Sequence, residues 1–156
     1  MKHRIKFSAL GIALGAAISL IAGGFALQIG KPSANPEAQA KNALLVVRGY
    51  ACVAPEKTTV SAVAEGLVNG TRKTIPLQLI PLSAESTYGL TRQWPLEGKW
   101  VITLVEANPR FNGHPSAIVK VDGDSVQWAD IARFSQAPNK SDVEAALNTM
   151  AIASKL

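Results

Sequence analysis

Alternation of apolar and polar residues across the middle of the chain is the feature that most constrains its fold. Segments 60–64 (VSAVA), 100–104 (WVITL) and 117–121 (AIVKV) each place their largest or most apolar side chains at every second position. A period of two puts successive side chains on opposite faces of a β-strand. The region from position 58 to position 121 is therefore predicted to form sheets rather than helices.

Short turns separate these strands. Asn69-Gly70 is a typical two-residue hairpin turn, and Asp122-Gly123-Asp124 is another tight turn. The spacing predicts about seven strands in an immunoglobulin-like antiparallel β-sandwich, a mainly β fold. Pro76 lies within one of the strands and has no N–H to donate, so that strand is expected at a sheet edge.

The C-terminal residues, 136–156, change to a helical period. Ser141 and Glu144 fit a capping box, and Val143 and Leu147 recur one helical turn apart. We expect a C-terminal α-helix with a narrow apolar stripe, docked at one edge of the sandwich.

The N-terminus has the pattern of an export segment. The first six residues, MKHRIK, are basic, and positions 7–30 contain no charged residue. Residues 1–30 are therefore predicted to be a signal peptide or a retained N-terminal membrane anchor. Both alternatives place the rest of the chain outside the cytoplasm, in the periplasm, at the cell surface or secreted.

A linker is expected between the export segment and the folded part. Residues 31–42 are rich in Pro and Ala and have no apolar period, and the small residues Ala38 and Ala40 fit a cleavage site after Ala40. The sandwich is then predicted to occupy residues 43–135.

The charge of the folded part excludes one class of partner. The formal net charge is +5, but from Lys41 onward there are 12 basic and 10 acidic residues. Nucleic-acid binding requires clustered basic residues on one face, which this pattern does not provide.

Cys52 is the only cysteine, so an intramolecular disulfide is impossible. We expect Cys52 either to be a free thiol or to form a disulfide with a second chain.

Two motifs resemble a known group of domains. Ser-x-Tyr-x-Leu at 86–90 and Pro-x-x-Gly-x-Trp-x-Ile-x-Leu at 95–104 resemble the hairpin of small exported bacterial immunoglobulin-like sandwiches, including YtkA-like, CopC-type and carboxypeptidase-regulatory-like modules. The resemblance implies a non-enzymatic accessory domain. CopC-type relatives bind copper through a histidine at the mature N-terminus, whereas cleavage here would leave Lys41 first and His114 as the sole histidine. No metal or other cofactor is therefore expected.

The leading functional prediction is an exported accessory or protein-interaction module of the bacterial envelope, which would bind an envelope protein at the edge near Pro76. The alternative is a carrier of a small ligand, glycan or metal that uses the end loops 94–99 and 110–115. Trp94, Phe111 and His114 would be its contact residues. The oligomeric state is left open.

An enzyme is not expected. The sequence lacks the GxSxG, HExxH, CxxC, GxGxxG and Walker motifs, and nothing in the spacing of Cys52 and His114 indicates a nucleophile with its base. Trp100 is predicted to face inward with Ile102 and Leu104, and Asp122-Gly123-Asp124 is interpreted as a turn rather than a calcium loop.

Overall fold

Two antiparallel sheets and a C-terminal helix make up the part of the chain that the computed structural model describes, residues 24–153. The predicted export segment lies outside these residues as far as Gly23. Among residues 24–153, no helix is long and apolar enough to cross a bilayer.

The strands are β1 (Phe25–Gly30), β2 (Leu45–Ala51), β3 (Thr59–Val68), β4 (Thr71–Leu77), β5 (Ile80–Pro81), β6 (Thr87–Leu90), β7 (Lys99–Ala107), β8 (Ser116–Asp122), β9 (Ser125–Val126) and β10 (Ala132–Phe134). The α-helices are α1 (Pro36–Ala40) and α2 (Lys140–Ala153), and single 3-10 turns occur at Pro32–Ala34, Pro55–Lys57 and Trp128–Asp130.

The strands form a sandwich. One sheet has four strands in the order β1-β2-β6-β5, and the other has six, in the order β10-β8-β7-β3-β4 with β9 paired to β8. The mainly β prediction is confirmed. The ten strands exceed the predicted number because β1, β5 and β10 are short or carry no clear alternation.

The core lies between the two sheets. Trp100, Ile102 and Leu104 of β7 are each 0% exposed, which confirms the predicted inward face of that strand. They pack against Leu45 and Val47 of β2 in the opposite sheet. Burial of large aromatic and aliphatic side chains between facing sheets is the main stabilising contribution in such a layer.

Glycine is required where β3 crosses the tryptophan. A Cβ at Gly66 would lie 2.5 Å from the ring of Trp100 and 2.8 Å from the Lys99 carbonyl oxygen, so a larger residue cannot fit without displacing the strand. The predicted Asn69-Gly70 turn is also confirmed, because both residues have positive φ, +50° and +77°, between the paired strands β3 and β4.

Helix α2 packs on the outer face of the six-stranded sheet. Val101 of β7 and Ile118 of β8 point away from the sandwich core and are almost fully buried against Val143 and Leu147 of α2. The expected position at a sandwich edge is therefore wrong. The sequence of β7 carries apolar residues on both of its faces, which is why a third layer covers it.

The helix is capped two residues earlier than predicted, by Asn139 rather than by Ser141. The backbone N–H of Asp142 donates to Asn139 Oδ1 at 3.1 Å, and the Asn139 N–H donates to Asp142 Oδ2 at 2.9 Å. This reciprocal pair is the capping box. Glu144, the predicted partner of Ser141, forms an ion pair with Arg72 instead.

The folded part begins at Phe25, not near position 43. All six residues of β1 pair with β2, from Phe25 opposite Ala51 to Gly30 opposite Val46. Phe25 and Leu27 are 8% and 7% exposed. Residues 31–42, which the sequence predicted to be a linker, connect β1 to β2 across one side of the sandwich.

Helix α1 is held to the body of the domain. Ala38 is fully buried with Ala43 and Leu82. The Glu37 carboxylate accepts hydrogen bonds from Ser83, through its backbone N–H and its hydroxyl at 2.8 Å, and from Lys41 Nζ at 2.9 Å. These bonds, the Ser83 backbone bond first, lower the pKa of Glu37 to about 2.

Candidate functional site

The most unusual chemistry of the domain lies at the end of the sandwich where β1 begins, here called the N-terminal end. It consists of Gly24 and the loops 52–58 and 108–115. The rings of Phe25 and Phe111 stack there, with centroids 4.5 Å apart and planes inclined by 10°. The stack joins the first strand to the β7–β8 loop across the two sheets.

A buried carboxylate lies near the same end of the sandwich, at the last residue but one of β7 before its loop. Glu106 follows Trp100, Ile102 and Leu104 in the inward-facing positions of β7 and is 0% exposed. Gly49 of β2 passes directly over it, since a Cβ at Gly49 would lie 3.1 Å from Glu106 Oε1. Within residues 24–153, neither carboxylate oxygen has a hydrogen-bond partner of ordinary geometry.

The polar groups near Glu106 form hydrogen bonds with partners other than its carboxylate. Asn108 Nδ2 donates to Thr58 Oγ1 and to the Ala54 carbonyl oxygen, both at 2.9 Å. Asn108 Oδ1 accepts from the Arg110 N–H at 2.9 Å. Asn108 thus ties together the two loops of the N-terminal end, while Glu106 adds an uncompensated polar group to the core.

Burial raises the pKa of Glu106 to about 7, because removing the carboxylate from water disfavours its charged form. The backbone N–H of Tyr50 partly offsets this effect. Glu106 therefore changes charge in the neutral range, which an exposed glutamate does not do.

The structure separates the residues of the predicted ligand site. Trp94 precedes β7, whereas Phe111 and His114 follow it, and this nine-residue strand spans the length of the sandwich. At about 3.4 Å per residue the two loops lie roughly 30 Å apart. The end loops 94–99 and 110–115 therefore do not form one site.

The three predicted contact residues differ in their burial and in their contacts. Trp94 is 4% exposed and belongs to the sandwich core, so it is not an exposed aromatic. Phe111 is half-buried in the stack, and His114 is exposed, with its backbone N–H donating to the Ser135 carbonyl oxygen at 3.2 Å. The exposed apolar residue of the β6–β7 loop is Leu96, at 57%.

Pro76 lies where the sequence predicted. It is exposed on β4, and β4 is an edge strand of the six-stranded sheet. Beside this edge, an open groove of about 440 Å³ runs between the start of α2 and the outer face of the sheet, lined by residues that include Val63, Thr103 and Val143. Edge and groove together form a second candidate surface.

An ionic network borders the groove. Arg72 of β4 bonds Glu65 of β3 at 2.6 Å and also bonds Glu144 of α2. The hydrogen bond that Arg72 donates to the Glu65 carboxylate is the main cause that raises the pKa of Arg72. Thr103 Oγ1, also in the groove lining, is buried without a hydrogen-bond partner among the described residues.

Metal binding has no support among the described residues. No group of three His, Cys, Asp or Glu side chains between positions 24 and 153 could hold an ion. Asp122 and Asp124 form ion pairs with Lys99 and Arg92. Asp122 also begins the predicted turn, since it pairs with Ser125 across β8 and β9.

Sequence reasoning missed Glu106, although its signal was present. Continuing the alternation of Trp100, Ile102 and Leu104 by one step places Glu106 on the inward face.

No family model, curated protein or solved structure matches this chain. The class of protein is therefore defined by architecture: an antiparallel two-sheet domain with a C-terminal helix.

Proposed function

We propose that this chain is an exported, non-catalytic module of the bacterial envelope, with an immunoglobulin-like topology, that binds a protein partner by strand addition at β4. The strand order supports the topology. When β1 to β8 are lettered along the chain as A, B, C, C′, D, E, F and G, the sheet order β1-β2-β6-β5 becomes A-B-E-D and the sheet order β8-β7-β3-β4 becomes G-F-C-C′, as in an immunoglobulin domain.

The observation that carries the proposal is the open edge of β4. Of the five edge strands among the described residues, β5, β9 and β10 have only two or three residues each, and the Leu27 carbonyl of β1 already accepts a bond from Arg133 at 3.2 Å. β4 has seven residues. It is the longest edge available for pairing with another chain.

The register identifies the groups that a partner strand would use. Pro76 has no N–H, so its pair with Val63 is a non-hydrogen-bonded pair, and Thr74 and Arg72 hold equivalent positions two and four residues earlier. Their backbone N–H and C=O groups therefore point away from β3. Pro76 limits the added ladder to this stretch, and side chains of the partner would reach the adjacent groove.

We propose a non-catalytic module because Glu106, the carboxylate with the raised pKa, is enclosed in the core. Glu106, whose pKa is raised, is 0% exposed and covered by Gly49, so a substrate cannot reach it in this conformation. A ligand carrier is not proposed, because its three predicted contact residues lie at opposite ends of β7.

Substitution at Thr74 tests the proposal. Thr74→Pro removes the outward N–H without breaking a bond to β3, whereas Thr74→Ala keeps that N–H and removes only the exposed side chain. We expect Thr74→Pro to weaken partner capture from envelope extracts at least about tenfold, since a main-chain bond is lost and the ring blocks pairing. Thr74→Ala should bind as the parent does.

The measurement is affinity capture of the same partner band by the three proteins, each checked for an unchanged thermal midpoint. Equal capture by all three would show that β4 is not the binding edge. Equal loss by both variants would show that the threonine side chain, rather than strand pairing, is recognised.

A further inference from the structure

We propose that the strand added at β4 is β4 of a second copy of this chain. The two strands run antiparallel around a two-fold axis, with Thr74 of one copy opposite Thr74 of the other, and the two six-stranded sheets continue across the axis as one sheet. This inference rests on the proposed function, because it uses the same edge and identifies the partner that occupies it.

The free backbone groups of β4 are placed symmetrically around Thr74. The outward-pointing positions of the strand are Arg72, Thr74 and Pro76. The next outward position, Gln78, is already bonded: its N–H donates to Gln93 Oε1 at 2.9 Å, and its carbonyl oxygen accepts from Gln93 Nε2 at 2.8 Å. The open ladder therefore has Thr74 at its centre, and a ladder with a central residue can pair with a copy of itself across a two-fold axis.

An axis at Thr74 gives the largest number of main-chain bonds. Residues opposite each other in an antiparallel hydrogen-bonded pair exchange N–H and C=O groups. The Thr74 pair makes two such bonds, and Arg72 of each copy donates its N–H to the Pro76 carbonyl of the other, which gives about four in total. An axis at Ile75 would place Arg72 opposite the occupied Gln78 and leave about two.

The other registers place unfavourable groups opposite each other. An axis at Arg72 or at Lys73 would bring two like charges directly opposite, which destabilises a sheet. An axis at Pro76 would put two residues without an N–H at the centre of the ladder. Of the registers centred on positions 72–76, the one at Thr74 therefore combines the most bonds with no pair of like charges.

The side chains beside the axis are compatible with this register. Lys73 lies opposite Ile75 of the second copy, and Ile75 is only half-buried in its own domain. The methylene stem of Lys73 can cover this apolar side chain while its ammonium group stays in water. The charge of Arg72 is balanced within its own chain by Glu65 and Glu144, so the two guanidinium groups do not oppose association.

The α2 helices do not obstruct this arrangement. Each packs on Val101 of β7 and Ile118 of β8, and β7 lies two strands inward from β4. At a strand spacing of about 4.8 Å, β7 is roughly 12 Å from the axis, so the two helices are roughly 24 Å or more apart. This separation exceeds the helix diameter of about 10–12 Å. Because the pairing uses the longest open edge of each copy, the assembly closes as a dimer.

Disulfide cross-linking at position 74 tests the axis. In the full-length chain with Cys52→Ser, Thr74→Cys places two thiols on opposite residues whose Cα atoms are about 5.5 Å apart, within the range of a disulfide. Thr71→Cys is the matched control, because it replaces another exposed threonine of the same strand. In the proposed register the two copies of position 71 are six residues out of step, roughly 20 Å apart, which a disulfide cannot bridge.

The measurement is the fraction of chain that migrates as a disulfide-linked dimer after mild oxidation of the envelope fraction with copper phenanthroline. We expect at least about half for Thr74→Cys and almost none for Thr71→Cys. Untagged chain should also co-purify with tagged chain, and Thr74→Pro in both copies should abolish this while Thr74→Ala preserves it.

Equal cross-linking at positions 74 and 71, or none at position 74 in protein whose thermal midpoint is unchanged, would overturn the pairing of two copies. If Thr74→Pro nevertheless abolished capture of a different protein, strand addition at β4 would stand and only its occupant would be wrong. The two proposals therefore fail through different measurements.

Discussion

Removing residues 1–40 should leave a chain that does not fold cooperatively, whereas removing residues 1–23 should leave a stable domain. The longer deletion removes β1 and with it the buried side chains of Phe25 and Leu27. Each is worth about 1.5–3 kcal/mol of burial, and the loss of Ala38 and of the stack on Phe111 adds to this. The total of about 5 kcal/mol is comparable to the whole stability of a small domain.

Thermal unfolding followed by near-ultraviolet circular dichroism measures the effect. The chain that starts at Gly24 is the control, because it retains the bond between the Gly24 carbonyl and Cys52. A point substitution, Leu27→Ala, should lower the free energy of unfolding by about 2–4 kcal/mol through the cavity it leaves. Cooperative unfolding of the 41–156 chain at the midpoint of the longer one would show that β1 is dispensable.

The outcome at β1 shows where sequence reasoning reached its limit. Its sequence, FALQIG, continues an uncharged run and contains only one polar side chain, Gln28, so it resembles the end of an export segment. Apolar side chains such as these are stable both in a lipid bilayer and on the buried face of a sheet. Only pairing with β2 distinguishes the two, and pairing between distant segments leaves no local signal.

Strands with clear alternation were predictable. Trp100, Ile102 and Leu104 are buried as expected, and Asn69-Gly70 forms the expected turn. The helix was also predictable, but not its position, because its docking depends on Val101 in the outward phase of β7. A strand that is buried on both faces is recognised from a nearly continuous run of apolar residues rather than from alternation.

The candidate site was predicted poorly for a topological reason. The predicted ligand site combined the loops 94–99 and 110–115, which contain Trp94 and His114. A single strand connects those loops, and it carries the chain from one end of the sandwich to the other. Two loops joined by one long strand cannot share an end of a sandwich.

Replacing Glu106 with glutamine should stabilise the domain at pH 8 by about 3 kcal/mol and leave it nearly unchanged at pH 4. The folded-state pKa of about 7 lies above the ordinary value of 4.5. Below pH 4.5 the carboxyl is protonated in both states. Between pH 4.5 and pH 7 the unfolded chain loses this proton while the folded domain keeps it, so the parent loses stability as the pH rises. A difference of about 2.5 pKa units corresponds to about 3 kcal/mol.

Urea unfolding at a series of pH values measures this effect. The parent should lose stability from pH 4.5 to pH 7 and then level off, while Glu106→Gln should show a flatter profile over that range. Glu85→Gln, at an exposed position, serves as the matched control and should keep the slope of the parent. Glu37 does not interfere, because hydrogen bonds lower its pKa to about 2 and its contribution is lost only as the pH falls below the ordinary value of 4.5. A parent profile without a slope between pH 4.5 and pH 7 would mean that the Glu106 carboxylate reaches water or a bonding partner in solution, and that the N-terminal end of the sandwich opens.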